Sequence, residues 1–360
     1  MKILRLLLLS ILFVGMYSCS SSDDGGDGGP QITSIVLTAN VTTQMVGNNI
    51  NFTVTTNTGT NVTADAVIKV GTTAISGTSY TSATAGSFDV TATYEGLTSS
   101  TVTIVFTEEE IPDPIAFEKR ILVEDYTGTW CGWCPRVSYG IEQVGLSTDK
   151  AVFAAIHRGG TDPNGQGYDP WNFNATALEN LIGLQGYPTA MLNRMTEWTY
   201  PEPNNIPQVV GLTQGAKPNV GLAMTASVSG GNINLVVNTK YGADFSGTKL
   251  IVYVQENGLI FDQTNYTTYY GGNGGNSYIP NFEHNHVVKA CLTNLLGDII
   301  AVTESVHDNV YTKTFSVPVP ANISNTNNIE FVAFIVGADK KVINVRKSVP
   351  GDDQTFEVVQ

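Results

Sequence analysis

The sequence predicts a multidomain, β-rich chain of three folded segments: a β-sandwich, a central α/β segment and a second β-sandwich. Three observations carry this expectation. At 360 residues, and with about 150 residues to a typical domain, the chain is too long for one core. Charged residues make up only 14% against 42% hydrophobic, where ordinary soluble domains carry about 25% charged. Neutral polar side chains must therefore cover the surface, which suits strands better than salt-bridged helices. Apolar and polar residues also alternate at the strand period in both flanks, whereas the middle switches to apolar runs separated by helical stretches. The 18 basic and 32 acidic residues give a net charge of -14, a field that repels phosphate backbones and excludes nucleic acid as a partner. Four cysteines are too few to staple a chain this long. Two of them share one Cys-x-x-Cys, which points to chemistry.

Lys2 and Arg5 precede an apolar stretch over residues 6–15, shorter than the ~20 residues of a membrane-spanning helix, so residues 1–18 read as a secretory signal peptide. The run Met16-Tyr17-Ser18-Cys19 resembles the lipobox of bacterial lipoproteins. That resemblance implies cleavage before Cys19 and acylation of its thiol, which makes a lipid bilayer the partner of this residue. Ordinary cleavage near Ser18, leaving a free thiol, is the alternative. Residues 19–30 are rich in Gly, Ser and Asp and form a flexible tether. Asp23 and Asp24 resemble the acidic signal of Bacteroidetes-type lipoproteins, which implies the outer membrane and its outer face.

Residues 31–107 hold 21 Thr in 77 positions and only four charged side chains, Asp65, Lys69, Asp89 and Glu95. Runs such as Ser87-Phe88-Asp89-Val90-Thr91-Ala92 alternate as half-buried strands do. The segment resembles bacterial immunoglobulin-like spacer modules, which implies an Ig-like sandwich without a catalytic site. Residues 108–119 begin Glu-Glu-Glu and contain Pro112 and Pro114; they form a linker.

Over residues 120–216 the pattern predicts a strand at 120–126, a helix at 135–146 weakened by Gly140 and Gly145, and an apolar strand at 151–157. A helix over 174–184, a strand over 189–193 and a closing helix over 206–214 complete the segment. That order makes a parallel βαβ unit. Residues 217–360 return to alternation, as at 233–237, 249–254, 314–319 and 329–336, and read as a separate C-terminal sandwich.

The chemistry sits where the first strand of the central segment runs into Trp130-Cys131-Gly132-Trp133-Cys134 at a helix start. A thiolate is the nucleophile of disulfide exchange, and free N–H groups at a helix N-terminus favour that anion. Cys131 is expected to be the exposed attacker and Cys134 the buried resolving thiol. Together with Gly186-Tyr187-Pro188-Thr189, this WCxxC resembles the thioredoxin-like proteins. The resemblance implies a thioredoxin-like α/β domain, thiol–disulfide exchange with protein or peptide thiols, and no cofactor. It further implies a cis Pro188 facing the disulfide, the backbone of Tyr187 free to pair with a substrate strand, and a buried carboxylate at Asp125 as the proton acceptor of Cys134. Glu124 is the rival, because a one-residue slip along the strand exchanges the two acids. The sequence departs from thioredoxins at Trp133 and at Pro135-Arg136, and the insertion 158–173 is expected to shape a substrate-facing rim.

More widely, the VEDYTGTWCGWCPR block, GYPT and Asn285-His286-Val287 resemble the outer-membrane lipoprotein family named after outer membrane protein twenty-eight, from Phe117 to the end. Among other readings, His284 and His286 on one strand face with the cysteines would make a zinc site, disfavoured because no second ligand pair stands nearby. Asp162, Asn164 and Asp169 read as turn residues rather than calcium ligands. His157 and His307 stand alone, and Cys291 reads as an inert buried thiol. Residues 266–275 (YTTYYGGNGG) offer aromatics for stacking on sugars, which keeps open a surface adhesin whose CxxC is a static disulfide.

Overall fold

In the computed structural model, which describes residues 31–275 and 277–359, the Thr-rich amino-terminal segment folds as two facing sheets. The signal peptide, the tether and Cys19 lie outside the described residues. One sheet pairs Ile35–Ala39 with Ile50–Thr56 and Ser79–Tyr80. The other is built on Gly86–Tyr94, flanked by Val67–Val70 and Val102–Thr107, with Thr43–Met45 parallel to the latter. Alternation does the sorting: along Ile50–Thr56 the residues Ile50, Phe52 and Val54 turn inward against Ile68, Val90, Ile104 and Phe106, joined by the buried Thr56, and Asn51, Thr53 and Thr55 face out. The described chain divides into two units between Ile111 and Pro112, inside the expected linker.

The second unit departs from the expected plan. Its largest sheet has nine strands and crosses the boundary expected at residues 216/217. In spatial order it runs Thr196–Glu197, Thr189–Leu192, Ile121–Thr127, Ala151–His157, Val287–Cys291, Lys249–Glu256, Ile329–Val336 and Val342–Ser348, with Asp298–Ile299 beside Lys249–Glu256. The join is the parallel pairing of Ala155 with Val287, reinforced by the Ala155 N–H donating to the His286 carbonyl at 2.8 Å. Residues 120–216 and 217–360 therefore share one sheet instead of forming two domains. The physical reason is legible in Ile329–Val336, which is buried at every position. A strand covered on both faces needs a layer on each side, and here Phe331 and Ala333 share one core with Leu222 and Leu235 of a three-stranded sheet, while Val332 and Phe334 share another with Tyr126 and Ile156. That three-stranded sheet (Val220–Ser229, Asn232–Tyr241, Val310–Pro318) is antiparallel throughout.

At the other end of the large sheet the elements follow the sequence closely. Ile121–Thr127 leads to the helix Pro135–Ser147, Ala151–His157 runs parallel to the first strand, and the helix Thr176–Ile182 leads to Thr189–Leu192, antiparallel to it. A short strand, Thr196–Glu197, and the helix Ile206–Leu212 complete this part. Gly140, a helix-weakening residue by propensity, is needed here because the Trp198 ring lies against it and a Cβ would sit 3.0 Å from that ring.

Candidate functional site

Every residue of Ile121–Thr127 is buried, since the strand is central in its sheet and covered on both faces. Alternation then assigns the two acids. Ile121 and Val123 pack with Val137 and Val144 of the helix Pro135–Ser147, so Asp125, two residues on, faces that helix as well. Glu124 points the other way, where its carboxylate takes hydrogen bonds from Arg194 at 2.9 Å and from the Tyr253 hydroxyl at 2.8 Å. Arg194 and Glu124 are both fully enclosed. The two candidates for the buried acid thus differ in kind: Glu124 is a paired structural carboxylate, and Asp125 has an Oδ1 with no hydrogen-bond partner among the described residues. Burial pushes the Asp125 carboxyl well above its ordinary range, the charge of Glu202 adds to this, and Arg136 opposes it.

Asp125 opens on a cavity of about 200 Å³ between the sheet, the motif helix and residues 282–286. Ser138, Glu142, His157 and His284 share its wall. The expectation that His157 stands alone is corrected: its Nδ1 lies 2.8 Å from Asp169 Oδ2, and its ring packs 5.3 Å from that of His284. Burial would raise Asp169, but His157 and the N–H groups of Thr129 and Trp171 hold it below the usual carboxylate range. His284 moves the opposite way, down to about 3, because burial disfavours the imidazolium and His157 adds to the effect. Its Nε2 has no partner among the described residues. His286 sits after the strand rather than on it, at φ 59°, and pairs with Glu330. His284 and His286 therefore do not share a strand face, and among the described residues no three His, Cys, Asp or Glu side chains converge as a metal site.

Cys131 and Cys134 form a disulfide. The helix begins at Pro135 with Cys134 at its N-cap, and the first N–H groups already have partners, Arg136 donating to the Trp133 carbonyl and Val137 to that of Cys134. Cys131 is one turn earlier. Its expected exposure is not observed: Cys131 is 3% and Cys134 1% exposed, whereas Trp130 and Trp133 are 38% and 51% exposed. Against the motif lies the hairpin Leu259–Asn265 and Ser277–His284, whose Gln263 amide donates to the Cys131 carbonyl at 3.0 Å. The Tyr266 ring lies so close over Gly132 that a Cβ there would come within 2.4 Å of it. Sequence reasoning missed this contact because it joins residues more than 130 positions apart.

The tyrosines read as sugar-stacking residues are spent on packing. Tyr266 meets Trp133 edge-on, Tyr269 stacks on Tyr139 with centroids 4.5 Å apart, and the Tyr270 hydroxyl donates to Glu142 at 2.7 Å. The insertion after His157 is fastened to the motif, with Trp130 Nε1–H donating to the Arg158 carbonyl at 2.7 Å and the Thr129 N–H to Asp169 at 2.9 Å. Trp130 also meets Tyr187 at 5.8 Å between ring centroids. The Tyr187–Pro188 peptide is cis, and the Tyr187 hydroxyl donates to Glu179 at 2.7 Å. Cys291 is half-buried and unpaired, its thiol raised by burial.

No curated protein matches the sequence. Among solved structures, HBP35 of Porphyromonas gingivalis is similar at a TM-score of 0.50 and 17% identity, over 67% of this chain and 79% of that one. A domain of the outer membrane lipoprotein Omp28 from the same organism gives a TM-score of 0.25 at 15% identity, over 39% of this chain and 95% of the other. Residues 175–354 match the family described as Outer membrane protein Omp28, a span that begins after the cysteine motif and takes in the hairpin and most of the shared sheet. With half its length so matched, the chain belongs to the family of outer membrane protein Omp28.

Proposed function

We propose that this chain is a thiol–disulfide oxidoreductase that works through Cys131 and Cys134 on protein or peptide thiols and disulfides. The observation that carries the reading is the Cys131–Cys134 disulfide at the head of a helix whose covered sheet face holds the unpartnered, buried Asp125. A structural staple has no use for such an acid, since burying a polar group without a partner costs stability. The strand order Ala151–His157, Ile121–Thr127, Thr189–Leu192, Thr196–Glu197, with helices between, supports a thioredoxin-like arrangement. The two-sheet amino-terminal unit supports an Ig-like spacer.

In the step from the oxidised form, a substrate thiolate attacks Cys131 Sγ and forms a mixed disulfide. The Cys131–Cys134 bond breaks and its electron pair leaves on Cys134, which takes the Asp125 proton. The second substrate thiolate then attacks the substrate sulfur of the mixed disulfide and releases Cys131. Cys131 leaves as a thiolate and takes a proton from solvent, as does the Asp125 carboxylate, matching the two protons the substrate thiols released on ionising, so two electrons pass from substrate dithiol to enzyme; the reverse sequence oxidises the enzyme dithiol. Turnover tests this: with a dithiol as electron donor, the purified chain should reduce a peptide disulfide, and Cys131→Ser should lose that activity. Equal background rates for both proteins would sink the reading.

The anchor is the second part of the proposal. Acylation of Cys19 would hold the mature chain on the bilayer, and among the described residues no helix is long and apolar enough to cross a membrane. Cys19→Ser should move the protein from the membrane to the soluble fraction. A variant that still fractionates with membranes, from a wild type that takes up no labelled fatty acid, contradicts it.

A further inference from the structure

The hairpin Leu259–Asn265 and Ser277–His284 pairs only with itself; neither strand joins either large sheet of its unit. A lone two-stranded ribbon is marginally stable in water, so what it lies on decides where it sits. It lies on the cysteine motif. The Thr264 N–H donates to the Thr129 carbonyl at 2.9 Å and the Tyr266 N–H to the Gly132 carbonyl at 2.7 Å. The Gln263 amide adds a bond to the Cys131 carbonyl at 3.0 Å. Left-handed residues mark both ends, Gly258 at φ 68° and His286 at φ 59°, where the ribbon leaves the strands Lys249–Glu256 and Val287–Cys291. With the ribbon down, Cys131 and Cys134 are only 3% and 1% exposed.

We propose that this hairpin is a gate over the disulfide, closed by Tyr266, and that it is displaced by an extended, thiol-bearing polypeptide segment. Such a segment offers backbone N–H groups to the Thr129 and Gly132 carbonyls that the hairpin vacates, as a strand added to an open edge does. Its thiolate then reaches Cys131 Sγ and the exchange proceeds as written above. The gate names the substrate class of the oxidoreductase reading and rests on it.

The test follows reduction of Cys131–Cys134 itself, by alkylating the released thiols and weighing the protein, so it needs no turnover. The probes are dithiothreitol and an unstructured peptide carrying a Cys-x-x-Cys dithiol, applied to the oxidised mature chain and to Tyr266→Ala. The gate predicts that the peptide rate rises at least tenfold in Tyr266→Ala and the dithiothreitol rate less than threefold. Unchanged rates for both probes overturn the gate, and an equal rise for both overturns the polypeptide as its occupant. Hydrogen exchange of the wild type gives a second measurement, independent of whether the variant folds. Adding the peptide with its cysteines replaced by serine should deprotect the Thr264 and Tyr266 amides; continued protection at saturating peptide contradicts the proposal. If the gate responds but Cys131-dependent turnover is absent, the oxidoreductase reading fails by itself.

Discussion

Replacing Asp125 with Asn should stabilise the folded protein at pH 8 and leave its stability near pH 4 almost unchanged. Burial holds the folded-state carboxyl well above the 3.8 of a free aspartate, so across the interval between those two values the folded chain binds a proton that the unfolded chain has released. Stability of the wild type therefore falls as pH rises through that interval, by at most about 1.4 kcal/mol per pH unit for one proton. Below it both states are protonated and the penalty vanishes. Asn removes the titration, and with it the slope. Denaturant midpoints from pH 4 to pH 9 measure the difference, which should widen upward; a wild-type advantage at pH 8 contradicts the assignment. The same substitution should slow proton-coupled exchange at Cys134 by on the order of 100-fold, the lower range for loss of a general acid–base group, and leave the first attack by Cys131 nearly unchanged.

Removing the neighbouring acid should do the opposite. Glu124→Ala is expected to destabilise the protein by about 3–5 kcal/mol, because it leaves the enclosed Arg194 guanidinium without its carboxylate. The rate of Cys131–Cys134 reduction by dithiothreitol should stay within threefold of wild type as long as the chain is folded. Chemical denaturation and the alkylation assay read the two effects separately. If Glu124→Ala instead slows exchange at Cys134 and Asp125→Asn does not, the roles of the two acids are reversed.

These neighbours explain what could be read in advance. The strand Ala151–His157 and the start of the motif helix at Pro135 were legible because apolar runs and a proline at a helix start are local signals. That Glu124 and Asp125 face opposite ways was legible as well; which one faced the helix was not, since a single-residue slip inverts the answer. The sheet shared across residues 216/217 left a trace in the unbroken apolar run of Ile329–Val336, which a one-sided sandwich strand does not need. The hairpin laid against the motif left none. It depends on a ring from position 266 and an amide from position 263 meeting a loop near position 130, and sequence periodicity carries no information about contacts at that separation. The His157–Asp169 pair was hidden for the same reason, although twelve residues is a shorter reach.

Trapping tests the central claim most directly. In Cys134→Ser the thiol that resolves a mixed disulfide is gone, while Cys131 keeps its place one turn before the helix. Reduced Cys134→Ser is incubated with a disulfide-bonded peptide, acid-quenched, and mapped by mass spectrometry after digestion. The account predicts a stable adduct through Cys131, absent from the wild type and from the double variant Cys131→Ser/Cys134→Ser. No adduct at Cys131, or one found only at Cys291, would contradict it.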